Sequence, residues 1–237
     1  MILLTKRKKI VLFIVEGITD EVSLALGFSE LMNSNEVRFE LTYGDITTRD
    51  SIQVNTVAAE VGKIVKKFMG RIYRKADILK VIHIVDTDGC FISDDNVVHE
   101  DTDITYTDEV IKCRNEEDIR RRNAHKSEVL QRMSMLGKVL KDIDYSVYFM
   151  SCNLDHVLHN DANPTNDQKN DYADEFRDRY QDDIEGFVRF FNDEEYACVG
   201  TYKETWEFIQ RDTNSLKRHT NINVLINKEN MKCISHS

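Results

Sequence analysis

The sequence predicts an α/β fold: a largely parallel sheet with helices on both faces over residues 1–152, and a mostly helical C-terminal extension over residues 153–237 packed on it. Continuous apolar runs at 10–15, 80–85 and 145–150 have the composition of strands buried on both faces. Stretches of helical periodicity separate these runs, which calls for crossover connections and parallel strands. Beyond Leu154 the strand pattern stops and helical patterns take over.

Taken in order, Ile-Val-Leu-Phe-Ile-Val at 10–15 is the strongest strand. After Glu16-Gly17, Thr19 can cap a helix with Asp20 and Glu21 in its first turn, continued by Leu24, Leu26, Phe28 and Leu31. Residues 37–43 alternate apolar and polar, the pattern of a half-buried strand, and end at Gly44-Asp45. Over 56–73, Val57, Val61, Ile64, Val65, Phe68, Met69 and Ile72 recur at helical spacing, with basic residues opposite. The strand at 80–85 is terminated by Asp86-Thr87-Asp88-Gly89. Residues 93–112 read as polar and irregular, and 116–139 as one long or two consecutive helices. After the strand at 145–150, a helix is expected near 154–159, a loop at 160–169, and helical stretches at 172–191 and 205–211.

The 237 residues carry 32 basic and 42 acidic side chains, a formal charge of -10, so bulk electrostatic coating of nucleic acid is excluded. Any such contact must be local or assisted by a metal ion. The acidic excess lies between Asp86 and Asp118 and between Asp155 and Glu195, while the N-terminus and 63–80 are basic. Five scattered cysteines without a CxxC pair indicate neither a disulfide framework nor a zinc site, and suit a reducing cytoplasm. The sequence shows neither a signal peptide nor a membrane span, so a cytoplasmic protein is expected.

In open α/β sheets ligands bind beyond the carboxyl ends of the strands. Glu16 and the Asp86/Asp88 pair both stand at such ends, and hard oxygen donors of this kind suit Mg²⁺ or Mn²⁺. Each motif also has an ordinary structural reading: Asp-x-Asp-Gly as a turn, Asp20-Glu21 as compensation of the helix dipole.

Together, Val15-Glu16-Gly17-Ile18-Thr19-Asp20-Glu21 after one apolar strand and Val85-Asp86-Thr87-Asp88-Gly89 after another resemble the TOPRIM domain. That domain is shared by topoisomerases, bacterial primases, recombination proteins and the nucleases of the overcoming-lysogenization-defect family. The resemblance spans roughly residues 10–150. It implies a TOPRIM-like sheet, Glu16 as the catalytic glutamate, Asp86 and Asp88 as metal-binding aspartates, and Asp20 or Glu21 as a further acid of the overcoming-lysogenization-defect type. It also implies a nuclease effector of phage defence by abortive infection. No GxxxxGK[ST] phosphate loop is present, so the ATPase module of the full-length proteins is missing from this chain, and any ATPase or sensor would be a separate partner.

Further candidates follow the last strong strand. Asp155 can add a metal ligand and His156 or His159 can orient water, or the segment can simply cap a helix with Ser151 or Asn153. Lys126, Lys217 and Arg218 are candidate phosphate or nucleic-acid contacts, the cluster 215–219 being the most site-like of the basic groups. Tyr202 and Trp206 read as core anchors. The expected activity is therefore Mg²⁺- or Mn²⁺-dependent hydrolysis of DNA or RNA, with a homo-oligomer possible and no membrane partner. The alternative is a non-catalytic regulatory or nucleic-acid-binding module of the same fold.

Overall fold

The computed structural model describes residues 8–33, 35–43, 45–49 and 51–234; the basic N-terminal residues up to Arg7, and Gly44, lie outside them. In chain order the elements are β1 (Ile10–Val15), α1 (Ile18–Leu31), β2 (Glu36–Leu41), α2 (Val57–Met69), β3 (Ile78–Asp86), β4 (Val97–His99), β5 (Thr105–Tyr106), β6 (Ile111–Cys113), α3 (Glu116–Ser134), β7 (Lys138–Val139), β8 (Ile143–Met150), α4 (Leu154–His159), α5 (Asn166–Tyr180), α6 (Ile184–Phe191), α7 (Tyr202–Ile209) and α8 (Ile222–Ile234).

The main sheet has the order β2-β1-β3-β8-β7. β2, β1, β3 and β8 are parallel, and only the short edge strand β7 runs antiparallel, to β8. Every residue of β1 is buried, which is why its sequence shows a continuous apolar run instead of alternation. Successive residues of β1 feed opposite cores. Ile10, Leu12 and Ile14 join Val57, Val61 and Val65 of α2, Val129 and Met133 of α3 and Trp206 of α7. Val11, Phe13 and Val15 join Leu24 and Phe28 of α1, Phe176 of α5, Phe187 of α6 and Ile222 of α8. Helices therefore cover both faces, and those after Cys152 contribute to both.

Several local expectations are corrected. Residues 93–112 are not irregular throughout: β4, β6 and β5 form a second, three-stranded sheet over a small core of Ile92, Val97, Ile111, Ile119 and Leu216. Strands of two or three residues are too short to leave a periodicity in the sequence. The helix expected over 116–139 ends at Ser134, and Lys138-Val139 is the edge strand. α5 begins inside the expected loop, where Thr165 and Gln168 form a capping box. α8 was not anticipated, because Ile222-Asn223-Val224 alternates like a strand. Thr19 does not cap α1: the helix starts at Ile18, and Asp20 reaches back to the exposed amides.

Among the described residues no helix is long and apolar enough to cross a membrane. Cys90, Cys113, Cys152 and Cys198 are free and buried.

Candidate functional site

From β1 the chain crosses through α1 on one face to β2, then returns through α2 on the other face to β3 on the far side of β1. The carboxyl ends of β1 and β3 are thus neighbours at the point where the connections diverge, the usual place for a ligand crevice in an open sheet. Glu16 follows β1 and Asp86 closes β3. Glu16 Oε1 faces the Asp86 amide at 3.5 Å. The Glu16 carboxyl is pushed well above the ordinary carboxylate range by burial and then by Asp45, Asp88 and Asp20, against the pull of Lys126. Asp86 is pushed the same way by burial, then by Glu16, Asp20 and Asp88. The acids from the two strand ends therefore share one field, with more negative charge than nearby cations cancel.

Asp88 sits one residue beyond the strand in a left-handed conformation, φ 47°, which a short acidic side chain tolerates better than most. Its carboxylate is bound by Lys126 Nζ at 2.5 Å, and the same ammonium lies 2.7 Å from Asp45 Oδ2. Lys126 has no exposed side-chain surface. Burial alone would lower its pKa, but Asp88, Asp45 and Glu16 together hold it well above the usual value. The sequence marked Lys126 as a phosphate contact; here its ammonium is turned inward onto two carboxylates. Asp45 was not singled out. Burial pushes it up, but Lys126 and the Thr47 hydroxyl and amide outweigh that and hold it below the normal range. A signal for it existed, since Asp45 follows β2 as Glu16 follows β1, but no motif surrounds it.

Asp20 Oδ2 accepts from the amides of Glu16 and Gly17, at 3.0 and 2.9 Å, so this acid caps α1 while standing beside the site. Burial pushes Asp20 up against those two hydrogen bonds and Lys169. Asp155, buried in the first turn of α4, is pushed to about 6 by burial, with Lys169 opposing and Asp20 adding. Asn153, one of the two expected caps of α4, accepts from the His156 amide. Glu21 is not among the strongest charges acting on Glu16, Asp20 or Asp86.

The Asp86-Thr87-Asp88-Gly89 turn is held from several sides. Thr87 Oγ1 donates to Ser215 O and accepts from the Cys152 amide, and the Asp88 amide donates to Cys152 O. Arg122 Nη2 donates to Asp88 O at 2.9 Å, and Nη1 to the Tyr106 hydroxyl at 3.1 Å. The 215–219 segment thus does border the acidic turn, through Ser215 rather than its basic residues. Lys217 is exposed. Arg218 donates twice to Val157 O and stacks over the Tyr196 ring at 4.1 Å, which commits it to packing. His156 is buried with Nδ1 lacking a hydrogen-bond partner, and His159 stacks on Tyr172.

The seam thus runs from Lys126 with Asp45 and Asp88, through Glu16 and Asp86, to Asp20, Asp155 and Lys169. Its donors are carboxylate oxygens, without thiolate or imidazole, a set suited to hard cations and to proton transfer. Among the described residues, no group of three or more His, Cys, Asp or Glu side chains is placed as it stands to hold one metal ion. Comparison with known proteins finds no match among family models, characterised proteins or solved structures.

Proposed function

We propose that the chain is a TOPRIM-type phosphodiesterase that hydrolyses DNA or RNA with Mg²⁺ or Mn²⁺. The observation that carries this reading is the meeting of Glu16 with Asp86 and Asp88 at the switch point of the sheet, where burial and like charge leave the acids in need of a counter-charge. An oxygen-only donor set with excess negative charge fits a hard divalent cation. Glu16, Asp86 and Asp88 would hold it, with Asp20 and Asp155 as flanking acids. When bound, such an ion neutralises a phosphate and lowers the pKa of a coordinated water. Glu16 Oε1 is directed at the Asp86 amide, which leaves Oε2 to take a proton from the attacking water; a carboxyl of raised pKa suits that task. A role as a phage-defence effector, beside a separate ATPase or sensor protein, belongs to the same proposal.

The test is incubation of the purified chain with plasmid, single-stranded DNA and tRNA in Mg²⁺ or Mn²⁺, beside Glu16→Ala and Asp86→Ala. Cleavage by the parent chain and a loss of at least about 10²-fold in each variant are expected. Equal activity in all three proteins, or none in any, overturns the nuclease reading.

A non-catalytic nucleic-acid-binding or regulatory module is the second reading. It is favoured by Lys126, which already neutralises Asp45 and Asp88, and by Asp20, whose carboxylate is engaged as a helix cap. Binding of the same nucleic acids without cleavage, unchanged in Asp86→Ala, would select it.

A further inference from the structure

A lysine without exposed surface is costly unless its charge is paired, and Lys126 is paired twice, with Asp45 and Asp88. Its two partners are not equally free. Asp45 is pinned through its other oxygen, Oδ1, which accepts from the Thr47 amide at 2.6 Å and the Thr47 hydroxyl at 2.5 Å. Asp88 stands on the turn at the edge of the acid seam, its backbone held through its carbonyl by Arg122 Nη2 and through its amide by Cys152 O. The movable member is the ammonium, at the end of a flexible four-carbon stem rooted on α3.

We infer that Lys126 is a tethered counter-ion with which a divalent cation exchanges at Asp88, and that Asp45 is the anchor onto which the ammonium withdraws. This deepens the proposed function and rests on its reading of the seam as a cation site. In the cation-free protein the lysine fills the charge deficit and keeps the acids together. Cation affinity is then set by the contest between two cations for one carboxylate, and both Lys126 and Asp45 tune it without being ligands themselves. Removing the ammonium removes the competitor and adds one uncompensated negative charge. Removing the Asp45 charge concentrates the ammonium's attraction on Asp88. The two changes should therefore shift cation affinity in opposite directions, which a purely structural ion pair would not do.

The experiment is Mn²⁺ binding to the full chain, read from the electron paramagnetic resonance signal of the free ion, with circular dichroism on each variant to check folding. Lys126→Met should bind at least about tenfold more tightly than the parent, a difference of about 1.4 kcal/mol. Asp45→Asn, which keeps an oxygen for the Thr47 amide and hydroxyl, should bind several-fold more weakly. Asp86→Asn should abolish binding and serves as the control on the site. Binding by Lys126→Met where the parent shows none also supports the inference. If the parent binds and Asp86→Asn does not, but Lys126→Met binds equally or more weakly, this inference fails while the cation site stands. If Lys126→Met does not fold, Asp45→Asn decides, and unchanged or tighter binding overturns the inference. If no protein binds Mn²⁺, the cation reading fails and this inference falls with it.

Discussion

Glu16 and Asp86 hold a proton more tightly folded than unfolded, because burial and neighbouring acids disfavour their charged forms. Stability from such groups is complete below the ordinary carboxyl pKa of about 4 and is lost as pH rises through the raised folded value. At alkaline pH without divalent cations the seam should therefore work against the fold. We expect Glu16→Gln and Asp86→Asn each to raise the melting temperature at pH 8 in a chelating buffer by a few degrees, from about 1–2 kcal/mol. The gain should vanish near pH 4. Thermal melts at both pH values check this; no gain at pH 8, or the same gain at both, would count against the charge argument. The two gains should not add, since each acid is part of the other's field. Asp155, pushed to about 6, should behave alike, with Asp155→Asn stabilising only above that pH. At this scale the sequence exposed Glu16, Asp86 and Asp88 because they follow strands legible as apolar runs. It hid the role of Lys126, since a basic residue within a charged helix looks solvated until its partner is known, and Asp45 is 81 residues away.

At the scale of elements, the small sheet and the acidic turn are tied together by contacts distant in sequence. Gly89 has φ 66°, and a Cβ there would lie 2.3 Å from Leu216 Cδ2 and 3.2 Å from Ile111 Cδ1. Gly89→Ala should cost about 1–3 kcal/mol through overpacking, with a further penalty for the left-handed backbone, seen as a lower urea midpoint. Unchanged stability would mean that the turn and the 215–219 segment are not packed as described. Arg122 links the turn to β5 through Asp88 O and the Tyr106 hydroxyl, a fork that lysine cannot reproduce. In Arg122→Lys, amide exchange should quicken at both 87–90 and 105–107; quickening at one alone would show that the two segments are not clamped as a unit. Such ties explain what was legible. β1, β3 and β8 carry their own pattern, whereas β4, β5 and β6 acquire their conformation from Ile119 and Leu216 beneath them. No window of local sequence contains that information.

At the scale of the whole molecule, the segment after Cys152 completes the sheet as well as covering it. β7 pairs only with the first residues of β8, through Val139 with Ile143 and Lys138 with Asp144, so the rest of that β8 edge needs other partners. Tyr202 supplies a hydroxyl that donates to Val147 O at 2.9 Å, and Asn221 Oδ1 accepts from the Phe149 amide at 2.9 Å. Thr220 forms an antiparallel bridge to Met150. Side chains from the C-terminal helices thus do what a further strand would do, which is why the sequence shows no strand pattern there. The same helices bury Trp206 and Ile209 on one face of the sheet and Phe176, Phe187 and Phe191 on the other. Losing a large buried aromatic costs about 3–5 kcal/mol, and a domain's whole margin is about 5–15 kcal/mol. A chain cut to residues 1–152 would lose several at once and bare the β8 edge. It should show no cooperative unfolding transition, bind a hydrophobic dye strongly and aggregate. Asn221→Ala is the milder probe: it leaves both faces covered but strands the buried Phe149 amide, at about 1–3 kcal/mol. Cooperative melting of the truncated chain, or an unshifted melt for Asn221→Ala, would mean that the sheet closes without its C-terminal helices.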